Sequence, residues 1–128
     1  MKQIIFTEKA PAPIGPYNQA ILVNGVLYTS GQIAINPENN TLILDSIEAE
    51  TTQVMQNLEA VLNAADMTFA DVVKTTIFIM NMDNFGRINA IYGQYFNEKT
   101  APARETVQVA CLPKNVNIEI SVIATKAN

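Results

Sequence analysis

From Val116 to Ala124 the chain reads V-N-I-E-I-S-V-I-A, apolar at nearly every second position with a carboxylate in the middle. Side chains alternate across a strand, so Val116, Ile118, Ile120 and Val122 share one face and Asn117, Glu119 and Ser121 share the other. Such a segment belongs in a sheet with one buried face, because a one-residue slip would exchange the two sets. A second run, Arg104 to Ala110, sets Val107, Val109 and the following Cys111 against Arg104, Thr106 and Gln108. Pro113, in the connection Leu112-Pro113-Lys114-Asn115, keeps that run from continuing. In both runs the apolar side is expected to build core and the polar side to carry chemistry, which makes Cys111 a core residue rather than a nucleophile.

A polar strand face is ordinarily just solvated. Three features argue for more here. Pro102 stiffens the approach to Arg104. The planar fork of an arginine suits a carboxylate better than a lysine does. Glu119 stands between Ile118 and Ile120, where an ionised group needs a partner or a task. The plain alternative is that Arg104 and Glu119 pair with each other.

Upstream, Lys2 to Thr7 is a short strand candidate and Ala10 to Pro16, with three prolines, a stiff lead. Asn24-Gly25 joins Ala20–Val23 to Val26–Ser30 as an antiparallel hairpin. Ser30-Gly31 ends it with a hydroxyl and a residue lacking Cβ, where a backbone can come close to a small ligand. Pro37 to Asn40 is a turn. Asp45-Ser46 precedes a helical pattern running from Ile47 to Ala65. Val72 to Met80 reads as a central strand, and Asp83 is expected to cap a second helix with Phe85, Ile88, Ile91, Tyr92, Tyr95 and Phe96 as its apolar stripe. Asn89 interrupts that stripe. The order is β-β-β-α-β-α-β-β, and two helices can cover only one face of a six-stranded sheet. Something outside the chain has to cover the other.

At 128 residues the chain is expected to be a single domain, residues 1–128. With 48% hydrophobic and only 16% charged residues it is not disordered, and charge is scarce for a monomer's surface. The net charge of −4, with no run of Lys or Arg, gives nucleic acid little to hold. The chain has no His, and Cys111 is its only cysteine, so a His/Cys zinc site and a His-based triad are both excluded. Chemistry is left to carboxylate, Arg, hydroxyls, backbone and water. The stretch before Glu8-Lys9 is short of a signal peptide or membrane span, which leads to the expectation of a soluble, cytoplasmic protein with no membrane partner.

The run P-A-R-x-x-V-x-V-x-x-L-P from Pro102, followed by V-x-I-E-I-x-x-I-A from Val116, resembles the signature of the RidA (YjgF) family. Ile14-Gly15-Pro16-Tyr17, Thr29-Ser30-Gly31-Gln32, Val72-Val73-Lys74-Thr75-Thr76 and Asn89-Ala90-Ile91-Tyr92 resemble the family's other signatures in the same order. The resemblance implies an α+β, chorismate-mutase-like subunit with a six-stranded mixed sheet and two helices on one face. It also implies a homotrimer around a central barrel, with ligand clefts at the subunit interfaces. The implied activity is hydrolytic deamination of small 2-imino acids and their enamine tautomers, without metal or other cofactor.

In similar proteins the residues matching Tyr17 and Asn89 line or approach the pocket. Carried over residue by residue, Arg104 grips the substrate carboxylate with the backbone N–H of Thr106, Glu119 activates water, and Tyr17, Ser30 and Gly31 complete the wall. Many relatives have Cys where Thr106 stands, and glycine where Asp66 follows the first helix, so that helix end is expected to be built differently. If the last two strands formed a direct hairpin, Glu119 would face Gln108 and Arg104 would lie about 13 Å away along the strand, too far for one small ligand. A last strand placed elsewhere in the sheet would remove that obstacle. A non-catalytic binder of 2-keto or amino acids is the alternative function. A ribonuclease or translation inhibitor is disfavoured by the acidic charge and the lack of His.

Overall fold

The structure, a computed structural model, describes residues 1–126. Strands β1 (Gln3–Ile5), β2 (Ala20–Val23) and β3 (Val26–Thr29) form an antiparallel meander. Asn24 and Gly25 both take positive φ, 52° and 78°, as the tight turn between β2 and β3 requires. A two-residue ribbon, β4 (Ile35–Asn36) with β5 (Thr41–Leu42), flanks the Pro37–Asn40 turn and has no counterpart in the sequence reading. Helix α1 (Ile47–Ala64) leads to β6 (Val72–Ile79), and α2 (Phe85–Tyr92) leads to β7 (Ala103–Gln108) and β8 (Ile118–Thr125). The sheet runs β1-β2-β3-β8-β6-β7. It is mixed, because β7 lies parallel to β6 across the α2 connection while the other pairs are antiparallel.

Both helices cover one face. Val54, Met55, Leu58, Val61 and Leu62 of α1 and Ile88 of α2 meet Leu27, Ile77, Ile79, Ile118 and Ile120 from the strands, all buried. Shortening a central member such as Leu58 to Ala would cost about 2–5 kcal/mol. Ser46 caps α1, its hydroxyl accepting from the Ala49 N–H at 3.0 Å. Asp83 does not cap α2: Asn81 accepts the Asp83 N–H at 2.9 Å at the head of a preceding 3-10 turn, which runs directly into the helix. The far end of α1 also departs from expectation. Asp66 takes the left-handed conformation, φ 58°, that glycine usually fills, and the Asp66 and Met67 N–H groups return to the Asn63 and Leu62 carbonyls. The helix end is therefore the ordinary left-handed closure, held here by a residue less suited to it.

The opposite face is bare. Register places Ile4, Ile21, Tyr28 and Ile123 in one row across four strands, and Phe78, Val107 and Glu119 in another. Ile4 is 56% exposed, Tyr28 48% and Val107 42%. Strand β7 consequently inverts the expected assignment of faces. Arg104, Thr106 and Gln108 pair with Thr75, Ile77 and Ile79 on the helix side, and Val107 lies on the uncovered one. Cys111, expected in the core, is exposed beyond the end of β7, where its Sγ meets the Leu112 carbonyl and Asn115 Oδ1.

Candidate active site

Glu119 sits on the bare face of β8 opposite Phe78, where the chain leaving β3 crosses it. That crossing is pinned by paired backbone bonds between Gln32 and Ile120, at 2.8 and 3.1 Å. Gly31 comes so close that a Cβ built on it would lie 2.4 Å from Glu119 Oε2. Any larger residue there would displace the carboxylate, which occupies the space of a side chain. Half-buried in this way, the Glu119 carboxyl is pushed above its usual pKa by loss of hydration.

Around it lies a cleft of about 420 Å³, lined among others by Ile14, Tyr17, Ser30, Gly31 and Lys114. The Ser30 hydroxyl donates to the Asn18 carbonyl at 2.6 Å, so only its lone pairs remain for a ligand. The Tyr17 hydroxyl accepts the Ile14 N–H at 3.4 Å and keeps its own proton free.

Two buried residues that sequence reasoning missed hold this half of the site. Gln19 accepts the Thr7 N–H and donates to the carbonyls of Thr7, Ala10 and Pro11, folding the proline-rich lead into a wall of the cleft. Glu50 accepts the N–H groups of Asn117 and Ile118 and the Asn117 side-chain amide at 2.7–3.2 Å, anchoring the start of the strand that carries Glu119. Each donor left unpaired there would cost about 1–3 kcal/mol. The signal was available for Glu50, which follows Ile47 by three residues and precedes Val54 by four, so it falls on the apolar stripe of α1. A lone glutamine such as Gln19 gives no comparable signal.

Arg104 lies elsewhere. Its Nη1 donates to Asn89 Oδ1 at 2.7 Å, and its guanidinium carbon lies 5.5 Å from the Phe85 ring centre and 5.0 Å from that of Tyr92. Tyr92 in turn donates its buried hydroxyl to Thr75 Oγ1 at 3.0 Å. Thr106, two residues along β7, has its Oγ1 buried without a partner. A second cleft, lined by Asn89, Tyr92, Phe96, Glu98, Pro102 and Arg104, opens beside them.

Arg104 and Glu119 neither pair with each other nor share a cleft. The last strand does lie away from β7, as the family arrangement implies, yet within one chain this does not unite them. Arg104 is level with Thr75 and Glu119 with Phe78. Three residues along β6 is an odd number, so the two side chains stand on opposite faces of the sheet. The structure thus groups Tyr17, Ser30, Gly31 and Glu119 in one half and Asn89, Arg104 and Thr106 in another. Among the described residues no cluster of His, Cys, Asp and Glu is placed to hold a metal, and no helix is long and apolar enough to cross a membrane.

A family model described as Endoribonuclease L-PSP matches residues 7–126. A RutC family protein of Synechocystis is 53% identical over 123 residues, covering 95% of each chain. Reactive Intermediate Deaminase A, chloroplastic, of Arabidopsis thaliana is 44% identical over 97% of this chain and 66% of its own. The crystal structure of Escherichia coli TdcF with bound serine superposes with a TM-score of 0.91 at 37% identity, over 98% of this chain and 99% of that one. Over nearly its whole length in sequence and in fold, the protein belongs to the RidA family, the one whose model bears the L-PSP description.

Proposed function

We propose that the protein hydrolyses small 2-imino acids and their enamine tautomers, 2-iminobutanoate and 2-iminopropanoate among them, to 2-keto acids and ammonia. The observation that carries this reading is the division of the site. A cleft with a half-buried carboxylate lies on one sheet face, a guanidinium bounded by two rings and an amide lies on the other, and the face that carries the carboxylate is bare and apolar, a surface for a second copy to cover. In a homotrimer of three times 14.0 kDa, about 42 kDa, Arg104 of one subunit meets Glu119 of the next across each interface. The name of the Arabidopsis relative supports the reaction, and the serine bound to the bacterial neighbour supports a ligand of amino-acid size.

In this reading Arg104, with the Thr106 N–H, fixes the substrate carboxylate and so the plane of the imine. Glu119 takes a proton from water as its oxygen bonds to the iminium carbon, and the C=N electron pair passes to nitrogen. Proton return from Glu119 makes the nitrogen a leaving ammonia, and as the carbinol oxygen closes to the keto group its hydroxyl proton passes to the regenerated Glu119 carboxylate and from there to the departing ammonia. An iminium carbon is already electrophilic, so the step needs no metal or cofactor. Imines of this size leave pyridoxal-phosphate dehydratases acting on serine or threonine, which places the activity in the cytoplasm beside them. Ribonuclease action, the sense of the family model's description, finds little support in an acidic chain without His.

The test is complementation. Arg104→Ala and Glu119→Gln proteins should each be inactive alone in ammonia release from enzymatically generated 2-iminobutanoate. Unfolded and refolded together in equal amounts, random trimers would regain about one quarter of wild-type activity, because one site in four draws both intact groups from different subunits. A mixture as inactive as its parents would refute the shared site. Wild-type protein that binds 2-oxobutanoate but releases no ammonia would favour a ligand-binding regulator.

A further inference from the structure

Phe85, Asn89 and Tyr92 stand at i, i+4 and i+7 of α2, the spacing of one helical face, and all three meet Arg104. An exposed arginine ordinarily samples many rotamers. This one is bounded by two rings and hydrogen-bonded to an amide, although it is solvent-exposed. The Tyr92 ring is itself fixed, since its hydroxyl is bonded to the fully buried Thr75, the β6 residue directly level with Arg104. Asn89 takes Nη1 only, and Nε and Nη2 make no hydrogen bond among the described residues. Those two atoms form the edge that grips a carboxylate with two parallel bonds. The protein shows the same edge in use elsewhere: Arg87 donates Nε and Nη2 to the two oxygens of Glu48 at 2.7 and 2.6 Å.

We propose that the Phe85–Asn89–Tyr92 face of α2 is a cradle that locks the Arg104 guanidinium with its Nε–Nη2 edge free, and that Tyr92, seated by Thr75, is a positioning residue for carboxylate binding. The proposal rests on the reading that Arg104 receives the ligand's carboxylate. It assigns Asn89 to holding the arginine, and it gives the aromatic stripe of α2 a second task beside core packing. A cradle of this kind selects planar, two-oxygen anions, because two rings and an amide bound the guanidinium and leave it one two-donor edge to offer.

The experiment compares Tyr92→Phe, Tyr92→Leu and Phe85→Leu with wild type in two measurements. The first is the Kd of 2-oxobutanoate, read by NMR titration. The second is the mobility and chemical shift of the Arg104 Nε–H signal in ligand-free protein. Tyr92→Phe keeps the ring and strips Thr75 of its partner, so it should lower Tm while holding Kd within about twofold. Both leucine variants should weaken Kd about tenfold, move the Nε–H signal out of its ring-shifted position and raise its mobility. Should Tyr92→Leu fail to fold, Phe85→Leu carries the test, because Phe85 lies at the edge of the core. Leucine variants with unchanged Kd and an unchanged Nε–H signal would overturn the cradle, as would affinity that simply tracks Tm through all three variants. If 2-oxobutanoate binds none of the proteins, it is the carboxylate reading that fails, and an Nε–H signal equally mobile in wild type and variants would then overturn the cradle by itself.

Discussion

Gly31→Ala separates the geometry of the carboxylate from the stability of the fold. The new Cβ would stand 2.4 Å from Glu119 Oε2, 2.5 Å from Cδ and 2.8 Å from Cγ. The closest of these is about 1 Å inside ordinary van der Waals contact, so the carboxylate has to swing away by at least that distance. A displacement of about 1 Å at a reacting group costs about 100-fold in rate. Stability should change little. Gly31 does not take positive φ, and the ~0.4–1 kcal/mol that Ala gains through the unfolded state is set against re-seating the Glu119 side chain from Cγ outward. The assay is ammonia release from 2-iminobutanoate generated in situ by a dehydratase, run beside thermal unfolding. The expected result is a folded protein of roughly wild-type stability with kcat/KM down about 100-fold. Full activity in a folded Gly31→Ala protein would show that the position of Glu119 does not set the rate.

Glu119→Gln removes the basic group and keeps the shape, so hydrolysis should fall about 10²- to 10⁴-fold while 2-oxobutanoate still binds in a titration. Because burial raises the Glu119 pKa above 4.5 and the base works ionised, the acid limb of the pH–kcat/KM profile should lie above pH 4.5; a limb at or below it would contradict the burial argument. The same shift has a stability sign: the fold favours the protonated carboxyl, so this group's contribution is largest below pH 4.5 and is lost as pH rises through the raised value, a loss that Glu119→Gln should abolish in pH-dependent unfolding. Asp66→Gly relieves a left-handed Asp at the carbonyl end of α1 and should stabilise by about 1 kcal/mol in denaturant titration; a loss of stability would mean that the Asp side chain does work at that helix end.

What could be read from the sequence is what local chemistry decides. Asn24-Gly25 specifies its turn whatever surrounds it, and the alternation of Val116–Ala124 fixes which residues share a face. Ser46 followed by a long apolar stripe specifies α1. Alternation yields parity, though, and says nothing about which of two faces is covered. Arg104, Thr106 and Gln108 share one face as the alternation requires, yet that face is the helix side, and Val107 lies exposed on the other. What Glu50 and Gln19 bond to is hidden for another reason. Their partners are 67 and 12 residues away, and only the folded chain brings backbone donors and acceptors around them. Arg104, Glu119, Ser30 and Gly31 stand out from the strand pattern itself, the roles of Tyr17, Asn89 and Thr106 rest on resemblance, and the division into two halves comes from the register of β6.

That division has a physical consequence for the two charged groups. Had the last strand placed Arg104 and Glu119 on one face at contact distance, they would have bonded to each other. A ligand carboxylate would then have had to break the pair and leave a charge half-buried and uncompensated. Three residues along β6 prevents this within the subunit. Each group instead has neutral neighbours: Asn89 and two aromatic rings bound Arg104, and the glycine at position 31 leaves the Glu119 carboxylate its space. The guanidinium therefore keeps a free edge, and the carboxylate keeps its raised basicity without a cation to lower it. An enzyme that must hold an anionic substrate and also activate water beside it needs both groups uncommitted until the substrate arrives. In the reading proposed above, a sheet that keeps the two groups on opposite faces of one chain, to be joined through a second copy, meets that need by geometry rather than by fine tuning of either residue.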